Sequence, residues 1–476
     1  MATEALLEKG IQNYRQENYE EALDLLQKAR ESLPASSTLA YYLGLTYKQT
    51  GNYPEAAAYF REAAKGSPAV KEAYPDLIEV LYHLGELGEA KDWIARAEKE
   101  RVSPALISFL KGLVLVKEDK NKQALEAFEK AKELDASLRQ AAEFQIALAR
   151  AKERKYQQAR ESLKAVMAID PGSDISAFAR DYDQALGQVL SAHKTWGGSF
   201  GLGYQYDDNP VLKPSGAIPG VVIFGEADSS ILATFRVYYN PLWDGPWLFN
   251  AQYGIYSNTY FHTSSHNLIN QTLSLNPGLT IPKGTISVPM LYSHVWLQGA
   301  PYQGVFAVKP TWSFITFRDH LGQLSAGYAR RDVIQAPLME DEDRDGNLFL
   351  GSAGYMVPFW ERGVLSLYYE YSRDLTTGRN WENTGHRFSL NLLIPLTKTV
   401  SITLSGEFLY QDYPNTNSVF EVKRLDKTYS GTVGLVWEAA KNLHLNLQYY
   451  GARAESNIAI YDYRRNVVTL GMEYHF

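Results

Sequence analysis

Asp341, Asp343 and Asp345, followed at once by Gly346, form the sharpest chemical signal in the chain. Carboxylates at every second residue, with a glycine to reverse the backbone, supply the hard oxygen ligands that wrap a calcium ion. The spacing predicts a weak calcium loop, and its departure is Ser352, which stands where a bidentate Glu belongs. A solvated acidic loop tip is the competing reading. No other cofactor is expected. Cysteine is absent, which excludes thiol catalysis, disulfides and zinc–thiolate sites. His-Glu-x-x-His and a phosphate-binding glycine loop are missing, the nine His are scattered, and Gly201-x-Gly203 lies inside a predicted strand. The chain reads as a non-enzyme.

A second set of chemically capable residues is Arg236, Lys309, Arg331, Glu370, Arg387 and Glu407. Each falls on the polar face of an alternating segment, so the set either lines a path for a substrate or cross-braces a wall. What positions these residues is a run of period-2 segments starting at Trp196. In one of them Ile402, Leu404 and Phe408 oppose Ser401, Thr403, Ser405 and Glu407. Fourteen such segments fall near 196–206, 228–240, 247–258, 267–279, 285–297, 303–316, 322–333, 347–357, 363–373, 385–394, 399–410, 428–438, 442–452 and 463–476. Each is long enough to cross a bilayer as a tilted strand. The even count, with one greasy and one polar face per strand, predicts an antiparallel transmembrane β-barrel over 195–476.

Connection lengths agree with that expectation. Short ones fall at Leu242–Pro246, Pro282–Lys283, Arg318–His320, Trp360–Arg362, Thr397–Lys398 and Ala439–Lys441. Longer ones fall at 207–227, 335–346, 374–384, 411–427 and 453–462. Short periplasmic turns and long extracellular loops are the outer-membrane pattern. Two aromatic girdles are expected: Trp243, Trp247, Trp312, Phe359, Trp360 and Trp437 near the short turns, and Tyr256, Tyr260, Trp296, Tyr410 and Tyr413 near the long loops. The last segment places Thr469, Gly471, Tyr474 and Phe476 in the spacing of a closing-strand signal addressed to the outer-membrane insertion machinery.

The first part of the chain is different in kind. It is rich in Ala, Glu, Lys and Leu and holds one of the nine Trp, Trp93. Gly10, Gly44, Ile78, Gly112 and Ile146 recur every 34 residues, and Ala22, Ala56, Ala90, Ala124 and Ala159 keep the same step with one single-residue slip. Small residues where paired helices touch, and Pro34, Pro68 and Pro171 closing units, predict about five tetratricopeptide repeats over 1–172. A capping or linker helix over 173–194 would cover the last apolar face. Such arrays present a surface that holds an extended peptide or docks a partner, though a purely scaffolding role also fits. The formal charge of −7 gives no footprint for nucleic acid. Mean hydropathy is −0.30 and no run of 18 apolar residues occurs, so no transmembrane helix is predicted. The opening Met-Ala-Thr-Glu-Ala-Leu lacks a basic-then-apolar leader, so an exported chain would be read here as a mature form with an added Met.

A short repeat array fused to a barrel of about fourteen strands, whose first strand runs Trp196 to Tyr206 into Asp207-Asp208-Asn209, resembles the surface lipoprotein assembly modifier family. The resemblance implies an outer-membrane translocon. Its repeats, in the periplasm, would capture a client lipoprotein or secreted protein, and the client would pass through or along the barrel to the cell surface. The competing reading is an exopolysaccharide export porin with a periplasmic repeat scaffold, and a third is a non-transporting anchor for such a scaffold. No catalytic residues carry over from the family.

Overall fold

The computed structural model describes residues 2–216 and 227–476, and the chain divides into two compact units, Met1–Ala192 and His193–Phe476. Ten residues of the expected 207–227 loop, 217–226, lie outside the described residues.

The first unit is a tetratricopeptide-repeat array of eleven helices among the described residues. They are α1 (Ala2–Arg15), α2 (Tyr19–Ser32), α3 (Ser37–Gln49), α4 (Tyr53–Lys65), α5 (Ala73–Leu84), α6 (Leu87–Glu100), α7 (Pro104–Lys117), α8 (Asn121–Leu134), α9 (Arg139–Lys152), α10 (Tyr156–Ile169) and α11 (Asp174–Ala192). Volume complementarity explains the 34-residue pattern. A Cβ on Gly44 would lie 2.7 Å from the ring of Phe60, and one on Gly112 would strike the ring of Phe128. Where Ile78 or Ile146 replaces the glycine, the residue at the corresponding position of the second helix is the smaller Ile94 or Leu163. All these side chains are buried, and the phenylalanine rings stand where the residue they cover has no side chain. The cap, α11, buries Ala179 against α10 and is clamped by Arg160 to Asp183 at 2.7 Å. The Arg160 guanidinium holds the Asp183 carboxyl below the usual carboxylate range.

The second unit is a closed antiparallel β-barrel of fourteen strands among the described residues. They are β1 (Trp196–Asp207), β2 (Asp228–Tyr239), β3 (Trp247–Tyr260), β4 (Leu268–Ile281), β5 (Gly284–Ser287 and Met290–Leu297), β6 (Ala300–Val308 and Thr311–Ile315), β7 (Leu321–Val333), β8 (Gly346–Phe359), β9 (Gly363–Thr376), β10 (Asn383–Pro395), β11 (Val400–Thr416), β12 (Lys423–Ala440), β13 (Leu443–Ser456) and β14 (Tyr463–His475). Strand β14 pairs with β1 from Ser199 opposite His475 to Asp207 opposite Val467, so no edge is left open. Alternation is complete along the seam: Phe200, Leu202 and Tyr204 point outward beside Tyr474, Met472 and Leu470.

Several details differ from the sequence reading. Strands β5 and β6 are each broken, because Pro289 and Pro310 have no N–H to give the ladder. Gln298 and Gly299 connect them as a tight hairpin, with φ of 53° and 79°, so one connection at the long-loop end is short. Strands β11 and β12 extend to Thr416 and Lys423 past a bulge, which shortens the expected 411–427 loop. Tyr260 and Tyr413 do not join a girdle. Both are buried, and Tyr256 shares the inward side with them, in register with Thr234.

The closing-strand residues sit at the seam. Gly471 lies opposite Gly203, Thr469 opposite Gln205 and Tyr474 opposite Phe200. Phe476 exchanges two backbone hydrogen bonds with Gly198, 3.0 and 3.2 Å, and its ring and that of Tyr474 are half exposed. Deleting Phe476 is expected to reduce the heat-modifiable, inserted fraction on gels while leaving the helical signal of the repeats unchanged. Normal insertion of that variant would contradict the role assigned to this end.

No helix among the described residues is long and apolar enough to cross a membrane. The barrel, greasy outside, fits an outer-membrane protein.

Candidate functional site

Inward-facing positions define the first candidate surface. Arg236 lies 3.9 Å from Glu473, Lys309 3.0 Å from Glu370, Arg331 3.0 Å from Asp374 and Arg387 3.8 Å from Glu407. Glu370 also stands directly opposite Arg387 in the β9–β10 register. The six residues singled out from the sequence therefore share the inward side, each beside an opposite charge on another strand. Partly solvated pairs of this kind contribute about 0–1 kcal/mol each, so their main effect is a wall without large single-sign patches. Between them lie hydroxyls and amides: Ser366, Asn391, Ser405, Thr432 and Gln448 edge a cavity of about 360 Å³ in the wall. A surface of this composition fits a water-filled lumen. Ser199, flanked by Gly197 and Gly201, has the spacing of a nucleophile elbow, but it lies within β1 rather than on a strand-to-helix turn.

The long-loop end is built more elaborately than spacing alone predicts. Asp341 pairs with Arg379 at 3.1 Å, and the Asp343 carboxylate accepts the Asp345 N–H at 2.9 Å. Asp345 in turn accepts the Val333 N–H at 2.5 Å. The three carboxylates are thus engaged separately, and among the described residues no group of three or more His, Cys, Asp or Glu is placed to hold a metal ion. These contacts shape the loop. Gly378 packs against it so closely that a Cβ would strike the Asp343 backbone.

That loop is one part of an interlocked layer. Glu342 accepts from Trp381 Nε1 at 2.8 Å and from Asn380 Nδ2 at 2.7 Å, while Asn380 Oδ1 accepts the Ser418 N–H at 2.9 Å. Arg344 lies 3.7 Å above the Trp381 ring. Arg424 is ringed by Tyr461, Tyr413 and Trp381 at 3.3, 4.6 and 5.1 Å and is paired to Asp426 at 2.6 Å. Arg424, Tyr413, Asn380 and Ile458 are buried although all stand at a barrel end. Loops between β7 and β8, β9 and β10, β11 and β12, and β13 and β14 are thereby fastened over the strand ends. Sequence reasoning missed this latch, since its members lie on separate connections and share no spacing. The one available clue was Trp381, a tryptophan inside a polar loop. Asp207, the last residue of β1, bonds Arg465 at 2.6 Å and Tyr260 Oη at 2.7 Å. Asp208 accepts the Asn466 N–H and Asn209 Nδ2 donates to the Arg464 carbonyl, so the Asp-Asp-Asn stretch fastens the seam.

The repeats supply a third surface, on the first helices of successive units. Lys48 of α3 bridges Asp76 and Glu79 of α5 at 2.8 and 2.6 Å, and Tyr41 donates to Asp76 at 3.2 Å. Burial works to lower the Lys48 ammonium, but the two carboxylates overcome it and hold it above its ordinary value. Burial and the adjacent Asp76 push the Tyr41 hydroxyl up. Lys117 of α7 sits 4.5 Å over the Tyr82 ring. The result is a tyrosine-rich face with prepaid charge pairs, suited to contacting a polypeptide.

Comparison with known proteins agrees on the repeats. Profiles of the tetratricopeptide repeat match residues 7–71, 41–103 and 106–138. No curated protein matches the chain. Among solved structures, MamA from Desulfovibrio magneticus RS-1 is 19% identical, covering 36% of this chain and 97% of that one, with a TM-score of 0.33. PilF of Pseudomonas aeruginosa is 23% identical over 40% of this chain and 90% of that one, TM-score 0.33. A thermophilic tetratricopeptide-repeat protein of Thermus thermophilus is 20% identical over 40% and 99%, TM-score 0.31.

Proposed function

We propose that this chain is an outer-membrane translocon whose repeats hold a client protein in the periplasm while the barrel passes it to the cell surface. The observation that carries the reading is the union in one chain of a protein-binding repeat array with a barrel whose inward wall is polar and charge-paired. The latch at the long-loop end fits a conduit that stays shut until a client arrives. The likeness to the surface lipoprotein assembly modifiers supports a lipoprotein or secreted protein as the client. In this role the chain needs neither catalysis nor a cofactor, and its other partners are the bilayer and the insertion machinery.

Orientation is the first test. A tag placed after Phe420, in the β11–β12 connection, is expected to be labelled on intact cells. A tag in the Thr397–Lys398 turn is expected to be labelled only after the outer membrane is permeabilised. Position 415 is a poor site for the tag, because Asn415 is bonded to Glu382 and the Arg379 carbonyl. Labelling of the turn on intact cells would overturn the orientation.

A further inference from the structure

On the outward face of β8–β12 the wall is hollowed into an apolar groove of about 810 Å³. One side is an aromatic ladder across four adjacent strands. Ring centroids lie 4.9 Å apart for Tyr369 and Phe388, 6.4 Å for Phe388 and Phe408, and 5.0 Å for Phe408 and Tyr429. Below it, in register, run Leu390, Gly406 and Gly431. A Cβ on Gly406 would meet nothing within 4 Å, so the floor is open because a side chain is missing there. At the β13–β14–β1 seam, by contrast, the same face carries Leu447, Leu470 and Tyr204 side by side.

Immediately toward the long-loop end, the row above the ladder is Tyr371, His386, Tyr410 and Lys427, again in register. His386 Nδ1 is bonded to Tyr369 Oη at 2.9 Å, which fixes the imidazole over the groove. Lys427 is exposed. An apolar slot capped by hydroxyls, an imidazole and an ammonium has the polarity profile of one amphiphile: hydrocarbon below, anionic headgroup above.

We infer that this groove is a specific seat for a phosphate-bearing lipid of the surrounding leaflet, with an acyl chain along Gly406 and the phosphate at Lys427 and His386. The seat rests on the barrel lying in a bilayer and is independent of whether the repeats deliver a client. The glycine floor lets the chain lie against the backbone, where dispersion contacts with four aromatic rings accumulate. Lys427 supplies a charge-assisted hydrogen bond to the phosphate.

The test is native mass spectrometry of the full chain, delipidated in detergent and then offered phosphatidylglycerol, diacylglycerol or a diacylated lipopeptide. The unmodified protein is expected to retain one phosphatidylglycerol and to release diacylglycerol. Lys427→Ala is expected to weaken retention about tenfold, the scale of one charge-assisted contact. Gly406→Leu is expected to abolish it by filling the slot, with heat-modifiability reporting that the barrel is folded. Should Gly406→Leu not fold, Phe388→Ala, which opens the ladder, is expected to show the same loss. Equal retention of diacylglycerol, or unchanged retention in Lys427→Ala and the slot variant, would overturn the seat. Preference for the lipopeptide over phosphatidylglycerol would overturn it too, by assigning the groove to a client's lipid.

Discussion

Removing residues 1–192 is expected to leave a barrel that inserts and remains heat-modifiable but delivers no client to the cell surface. Client is expected to accumulate in the periplasm, measured by fractionation and by protease accessibility on intact cells. The cut is placed after α11 because that helix buries Ala179 and pairs Asp183 against α10. A cut at 171 would strip its partner and expose an apolar face prone to aggregation. A simple diffusion pore would behave otherwise, since solute flux would survive the deletion and no client would build up. A scaffold anchor would lose periplasmic partners with the cell surface unchanged. Surface display that persists without the repeats would refute capture by this array.

The second large effect is expected at the latch. Trp381 is the plane on which Arg344 and Arg424 stack, and its Nε1 is the donor to Glu342. A desolvated cation–π contact is worth about 2 kcal/mol, so Trp381→Ala is expected to shift the open-to-closed ratio by at least about tenfold. Planar bilayer recordings should show a mostly silent parent and a frequently conducting variant. Arg424→Lys is the discriminating companion. It keeps the charge beside Asp426 but loses the flat face against Tyr461 and Tyr413, so it too should conduct. Truncating Arg424 to Ala is less informative, because it would leave Asp426 buried without its cation. Identical conductance in parent and Trp381→Ala would show that these loops do not gate the lumen.

The parts of the fold that were legible in the sequence are the parts written in a local period. The 34-residue recurrence of Gly10, Gly44 and Gly112 marks helix contacts that a side chain would break, and the two-residue alternation marks a wall with two solvents. The six inward charges were legible for the same reason, because a strand residue's parity fixes its side. Their pairing was not, since it depends on which strand lies next door. Tyr260 and Tyr413 show where an aromatic near a strand end misleads: parity puts both inside, against Asp207 and Arg424. The Asp341–Asp345 spacing shows a different limit. Alternate carboxylates describe what a loop could wrap, but in the fold Arg379 and two backbone N–H groups take those oxygens. The latch was illegible because it joins four connections that lie up to about 120 residues apart, from Asp341 to Tyr461.

Passage of a client along the inward wall is the central claim of the proposed function, and strand β10 offers the most direct measurement. Ser389 and Asn391 face inward, while Phe388 and Leu390 between them face outward. A photo-crosslinking residue placed in turn at each of these four adjacent positions, in cells exporting client, reads the route at single-residue resolution. Client adducts at 389 and 391, with lipid but no client at 388 and 390, are the predicted result. Client adducts at 388 and 390, or at none of the four while export continues, would contradict it.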